Sequence, residues 1–196
     1  TEYLSKIIDF TKPYIILGDS TALNSNAYQD SVRWDIYKCY NLLYSGLRKI
    51  IPQVIFLDGF DGRNEIINKF IRDNKIPMVN LSNTNYKDLF HVFAKSSLFI
   101  SGRWHASVLA SLSSTPIILY GADSHKTKAL YSILSYPYDF FETQTLPLHI
   151  DEMLDCASKI IGDKNIRQHI KNHVDIASAK SFENVGFLDK MGGGNS

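Results

Sequence analysis

Short apolar runs recur along this chain, and longer stretches with apolar residues at helical spacing separate them. Runs at 14–17, 54–57, 77–81, 98–101 and 116–119 predict five strands. Residues 31–51 place Val32, Ile36, Tyr40, Leu43, Leu47 and Ile50 on one helical face, and Pro52 closes that helix. Residues 63–74, 86–95, 104–112 and 124–134 predict four further helices by the same spacing. Strands this uniformly apolar are buried on both faces. They argue for a parallel sheet with helices on each side and right-handed crossovers. The expected fold is therefore α/β: a Rossmann-like, doubly wound, mostly parallel five-stranded sheet. Residues 136–148 are aromatic and Pro-punctuated and read as a loop or a short edge strand. Segments 150–161 and 163–183 read as terminal helices. One domain over 1–184 is expected, with a flexible tail over 185–196 whose end is glycine-rich.

Composition narrows the partners. The chain has 196 residues, 44% hydrophobic and 21% charged, with a formal net charge of +1. No global field draws it to nucleic acid, so any anion site must be local. Cys39 and Cys156 form no CxxC or Cys/His cluster and read as reduced core thiols. No apolar run approaches the ~18 residues of a membrane span, and no signal peptide is visible. The expected location is cytoplasmic, at most peripheral to the inner membrane face. The chain opens on Thr1 rather than Met, as an excised piece of a longer protein would.

Candidate chemistry gathers where strands end and helices begin. Ser101-Gly102-Arg103-Trp104-His105 follows the fourth strand. Ligands of open α/β sheets bind at this edge, and free N–H groups with the helix dipole favour an anion there. Gly102 permits a tight turn. Arg103 can clamp a phosphate or carboxylate, and His105 can donate a proton near neutral pH. Equally, Arg103 is a surface residue and His105 a capping or core imidazole. Gly121-Ala-Asp-Ser-His-Lys126 follows the fifth strand. Asp123 or Ser124 would cap the next helix, with His125 and Lys126 in its first turn. A lysine there opposes the dipole and hints at an anionic ligand; the plainer reading is a solvated lysine.

Gly18-Asp19-Ser20-Thr21 is neither GxGxxG nor a P-loop. Asp19 and Ser20 could reach a ligand, though an ordinary capped turn accounts for them as well. Asp58, Asp61 and Arg63 could reach the same edge, in a segment whose doubled glycine also suits a turn. No spacing matches a metal-ligand pattern. His91, His149, His169 and His173 read as structural or surface residues. Tyr131, Tyr136, Tyr138, Phe140 and Phe141 read as packing rather than a sugar platform.

Residues 98–130 (LFISGRWHASVLASLSSTPIILYGADSHKTKAL) resemble the polysaccharide pyruvyl transferase family. The matching features are Ser101-Gly-Arg-Trp-His105, the Ala-rich stretch 106–112, Thr115-Pro116 with its strand, and Asp123-Ser-His-Lys126. Elsewhere the likeness is one of element order. The resemblance implies one half, the C-terminal one, of a GT-B-like fold with its cleft between two Rossmann-like halves. It implies transfer of pyruvate from phosphoenolpyruvate to two hydroxyls of a sugar, as a ketal, in cell-surface polysaccharide biosynthesis. Arg103 and Lys126 would hold phosphate and carboxylate, and His105, or His125, would protonate the enol carbon. Asp123 would take the acceptor proton. Ser101, Gly102, Ser124, Asp19 and Ser20 would contact substrate. Phosphoenolpyruvate is then a co-substrate, no cofactor or metal is required, and the acceptor is a glycan or lipid-linked sugar. A second half or fused domain is an expected partner, and this chain alone would be poorly active. The alternatives are a GT-B-type glycosyltransferase domain using a sugar nucleotide, and a non-catalytic anion-binding or scaffolding domain.

Overall fold

The computed structural model describes residues 2–23, 35–58, 65–121 and 125–192, with side chains through residue 181. A short helix α1 (Glu2–Ser5) precedes five strands: β1 (Tyr14–Leu17), β2 (Gln53–Asp58), β3 (Met78–Asn80), β4 (Leu98–Ser101) and β5 (Ile117–Leu119). The helices between and after them are α2 (Ile36–Ile50), α3 (Glu65–Asp73), α4 (Tyr86–Lys95), α5 (Trp104–Leu112) and α6 (Lys126–Ile133). Helices α7 (Ile150–Gly162) and α8 (Ile166–Gly192) close the chain. The strands lie in the order β3-β2-β1-β4-β5 and every pair is parallel. The sheet expected as mostly parallel is wholly so.

This order reverses between β1 and β4. Right-handed crossovers on either side of a reversal send helices to opposite faces. The contacts agree: α2 touches α3 and α7, while α5 touches α4, α6 and α8. Strands β1, β2, β4 and β5 are buried along almost their whole length, as their apolar runs require, and the edge strand β3 is fully buried only at Val79.

Local signals account for the element ends. Asp35 caps α2 by accepting from Lys38 N at 2.9 Å, and Asn85 caps α4 by accepting from Asp88 N at 2.9 Å. Helix α2 buries Cys39, Tyr40, Leu43, Tyr44 and Leu47, close to the predicted face. Helix α3 buries Ile67, Phe70 and Ile71 and leaves Ile66 exposed; positions 63 and 64 of the predicted helix lie outside the described residues. Helix α5 turns small residues inward, namely Ala106, Ser107, Ala110 and Ser111, so it lies close on β4 and β5. Helix α8 runs to Gly192, well past residue 183.

Segment 136–148 guards the free edge of β5. Tyr120 and Phe141 form an isolated parallel bridge, and a 3-10 helix follows at Thr143–Leu148. Two backbone donors of β5 find phenol oxygens: Ile117 N donates to Tyr136 Oη at 2.9 Å, and Leu119 N to Tyr131 Oη at 3.0 Å. Burial pushes both phenols above their ordinary range, so they stay neutral. The two rings meet at 4.8 Å, and Phe140 stands edge-on to Tyr131 at 5.5 Å. The aromatic cluster is thus packing that also satisfies an edge strand.

Tyr136→Phe removes the acceptor of Ile117 N while keeping the ring. The expected loss is about 1–3 kcal/mol, the cost of an unpaired buried donor, read by denaturant unfolding. A change within about 0.3 kcal/mol would mean the β5 edge finds another acceptor.

Candidate functional site

The ends of β1 and β4 are adjacent, so the loops after them share the crevice where the strand order reverses. They interlock by close approach. A Cβ on Gly18 would stand 2.6 Å from Ser101 Oγ, and one on Gly102 would stand 2.5 Å from Ser20 Oγ. Each loop therefore needs its glycine opposite the other loop's serine. Asp19 O accepts from Gly102 N at 3.0 Å and from Ser101 Oγ at 2.9 Å. Ser101 Oγ also accepts from Arg103 N at 3.0 Å, and Ser20 Oγ donates to Gly121 O at 2.9 Å. The ends of β1, β4 and β5 are thus tied together.

The charged groups of this crevice face each other. Arg103 Nε donates to Asp19 Oδ1 at 2.7 Å and Arg103 Nη2 to Asp19 Oδ2 at 2.9 Å. The side chains are 9% and 1% exposed. The fork of Arg103, expected to take a phosphate or carboxylate from a ligand, is filled by this carboxylate. Two parallel charge-assisted bonds offset the desolvation of both ions.

Behind the pair lies a dry network. Tyr40 Oη and Tyr120 Oη are 2.6 Å apart, and Tyr120 Oη donates to Gly18 O at 2.8 Å. Tyr40 Oη also lies within hydrogen-bond reach of Gly18 O, at 3.4 Å. Burial raises both phenols, and the Asp19 carboxylate adds to it. Thr143 Oγ1 donates to Gly121 O and anchors segment 136–148 to the same edge. Tyr40, Tyr120 and Thr143 were not legible as site residues. Each looked like core or loop, and only the fold brings them together.

The remaining expected residues divide clearly. Ser101, Gly102, Asp19 and Ser20 are buried in the interlocked loops. His105, in the first turn of α5, and His125 and Lys126, at the start of α6, are exposed along the same sheet edge. Among the described residues no side chain caps α5 or α6, whereas α2 and α4 are capped. Thr127 Oγ1, buried in the first turn of α6, has no hydrogen-bond partner among the described residues. Asp123, Ser124, Asp61 and Arg63 lie outside the described residues. Asp58, at the end of β2, accepts from Asn80 Nδ2 at 3.2 Å.

The other histidines sit elsewhere. His91 packs on Phe10 at 5.1 Å, His149 Nδ1 pairs with Glu152 at 2.8 Å, and His169 bonds the carbonyl of Leu134 at 2.9 Å. Cys39 and Cys156 are buried free thiols, their pKa values pushed by burial up to about 12 and about 11. Among the described residues no group of three or more His, Cys, Asp or Glu is placed to hold a metal ion. Nor is any helix among them long and apolar enough to cross a membrane.

No family model and no curated sequence matches the chain. Among solved structures it is similar to the crystal structure of the glycotransferase of kitacinnamycin. The TM-score is 0.49 at 7% identity, over 83% of this chain and 38% of that one. The chain spans well under half the length of that structure.

Removing one partner of the buried pair strands the other charge. Arg103→Ala and Asp19→Ala are each expected to cost about 3–5 kcal/mol in denaturant unfolding. The double variant Asp19→Leu/Arg103→Met should cost less than either single change. A double variant as costly as the two singles summed would show that the ions are not coupled.

Proposed function

We propose that this chain is one Rossmann-like half of a GT-B-like transferase, and that it binds the diphosphate of a sugar-nucleotide donor at the C-terminal edge of β1, β4 and β5. The observation that carries the reading is the division of charge at that edge. Arg103 is engaged by Asp19 through its fork, while His105, His125 and Lys126 stand exposed beside two helix starts that no side chain caps among the described residues. Free N–H groups at a helix start with a lysine beside them suit a phosphate chain.

In this reading the interlocked loops hold the floor of the crevice rigid. Lys126 and the helix N-termini stabilise the diphosphate as it leaves with the electron pair of the broken anomeric C–O bond. The acceptor hydroxyl attacks the anomeric carbon, and in this reading His105 takes its proton. A second wall from a partner half would exclude water and strengthen each ion contact.

A second reading, pyruvyl transfer from phosphoenolpyruvate, is favoured by the sequence pattern over 98–130. It asks two cations to hold a phosphate and a carboxylate. With Arg103 turned to Asp19, Lys126 would have to share that task with the histidines.

Thermal unfolding with candidate donors separates the readings. A millimolar dissociation constant and tenfold excess ligand give about 1.4 kcal/mol, or a rise in midpoint of roughly 3–5 °C. Nucleoside diphosphate sugars should produce that rise, phosphoenolpyruvate should not, and Lys126→Ala should abolish it. A rise with phosphoenolpyruvate alone would favour pyruvyl transfer. A response to neither would favour a non-catalytic domain.

A further inference from the structure

Helix α8 carries His169 and His173 one turn apart. Residues four apart share a helix face. The two ring centroids are 4.3 Å apart and the planes are tilted by 36°. Both residues are half-buried, so water reaches them. Two histidines at this spacing are not a site by themselves. What distinguishes this pair is how each ring is hydrogen-bonded.

His169 Nε2 lies 2.9 Å from Leu134 O and 3.1 Å from Ser135 O, at the end of α6. His173 Nδ1 lies 3.0 Å from His169 O. A carbonyl oxygen only accepts, so both of these nitrogens carry a hydrogen. In the neutral rings the lone pairs therefore sit on His169 Nδ1 and His173 Nε2. Neither of those nitrogens has a hydrogen-bond partner among the described residues. A carbonyl that holds the far N–H orients an imidazole and makes it a stronger ligand. Metal-binding histidines are held in this way almost without exception.

We propose that His169 Nδ1 and His173 Nε2 clamp one divalent transition-metal ion, with Cu²⁺ preferred. None of the residues assigned to the sugar-nucleotide donor takes part, so this site stands independently of that reading. The ring separation points to the ion. Two imidazoles bound at about 2.0 Å and at a right angle hold their centroids about 4.5 Å apart, whereas a tetrahedral angle needs about 5 Å. The observed 4.3 Å fits the right angle of tetragonal coordination, which suits Cu²⁺ and not Zn²⁺. Cu²⁺ also stands highest among divalent first-row ions in affinity for nitrogen ligands. Water fills the remaining positions. Asp163, just before α8, already accepts from Tyr138 Oη at 2.9 Å and from Asn165 N at 2.9 Å. A bound ion would tie one turn of α8 to the next and, through His169, to the end of α6.

The test is calorimetric titration of the chain with copper(II) chloride in a non-chelating buffer, with electron paramagnetic resonance of the bound ion. One equivalent is expected to bind, with the signature of two nitrogen ligands. His173→Ala should weaken that binding tenfold or more. Ile176 is 52% exposed and lies three residues beyond His173 and seven beyond His169, on the same face. Ile176→His therefore supplies a third imidazole and should tighten Cu²⁺ binding tenfold or more, a gain that loss of the fold cannot mimic. His91→Ala and His149→Ala should leave the affinity unchanged.

Undiminished Cu²⁺ binding by His173→Ala overturns the clamp, as does an Ile176→His variant that binds no more tightly than the parent chain. A spectrum with one nitrogen ligand or none assigns the copper to adventitious surface binding and overturns the proposal. Zn²⁺ binding more tightly than Cu²⁺ overturns the tetragonal assignment.

Discussion

At the junction of β1 and β4, where the winding of the sheet reverses, the chain buries one charge of each sign against the other. Asp19 leaves β1 and Arg103 leaves β4, and their side chains meet fork to fork. Much of the edge depends on that meeting. A reversal of strand order opens a crevice because the flanking loops depart toward opposite faces. Here the crevice floor is closed by the pair, by the reciprocal Gly18–Ser101 and Gly102–Ser20 contacts, and by the Tyr40–Tyr120 relay onto Gly18 O. A buried pair of this kind adds little net stability compared with apolar residues of equal volume. What it supplies is a fixed arrangement, since neither ion tolerates losing its partner. The starts of α5 and α6 are held at the sheet edge by that rigidity.

The opposite edge of the sheet shows the same physics with a different residue. Arg167, from α8, donates to the carbonyls of Ala94, Ser96 and Ser114, where α4 and α5 end. A cation at helix C-termini complements the dipoles and satisfies orphaned carbonyls. Two arginines thus finish the two edges of one sheet. The first pairs with a carboxylate at the C-terminal ends of the strands, and the second covers the C-terminal ends of two helices.

The sequence pattern made the fold readable wherever a punctuating residue stands at an element boundary. Strands β1 and β4 and helices α4 and α5 begin and end where read, because Gly18, Asn85, Ser96 and Ser101-Gly102 mark the change of period. Boundaries drifted where the marking residue was weaker. Helix α2 starts at Ile36, after its Asp35 cap, although apolar spacing extends back to Val32. Helix α8 continues through Gly186 to Gly192, and no proline interrupts it. The site was legible only as a location. Ser101, Gly102, Asp19 and Ser20 were singled out from being at strand ends, but no local signal joins residue 19 to residue 103. That bond depends on β1 and β4 becoming neighbours, a long-range fact that periodicity cannot express. Tyr120, at the end of an apolar run, looked like one more core residue for the same reason.

The consequence for recognition follows from charge accounting at short range. Asp19 and Arg103 together contribute no net charge to the crevice, so among the described residues attraction for an anion rests on Lys126, on the two histidines, and on the helix starts. All of these face water, where a single ion contact is weak and falls with ionic strength. Selectivity from charge alone would therefore be poor. A ligand held well at this edge must gain from something besides its phosphate. One source of that gain is compatible with the geometry: water exclusion by a second protein wall over the sheet edge, which would strengthen every ionic contact at once.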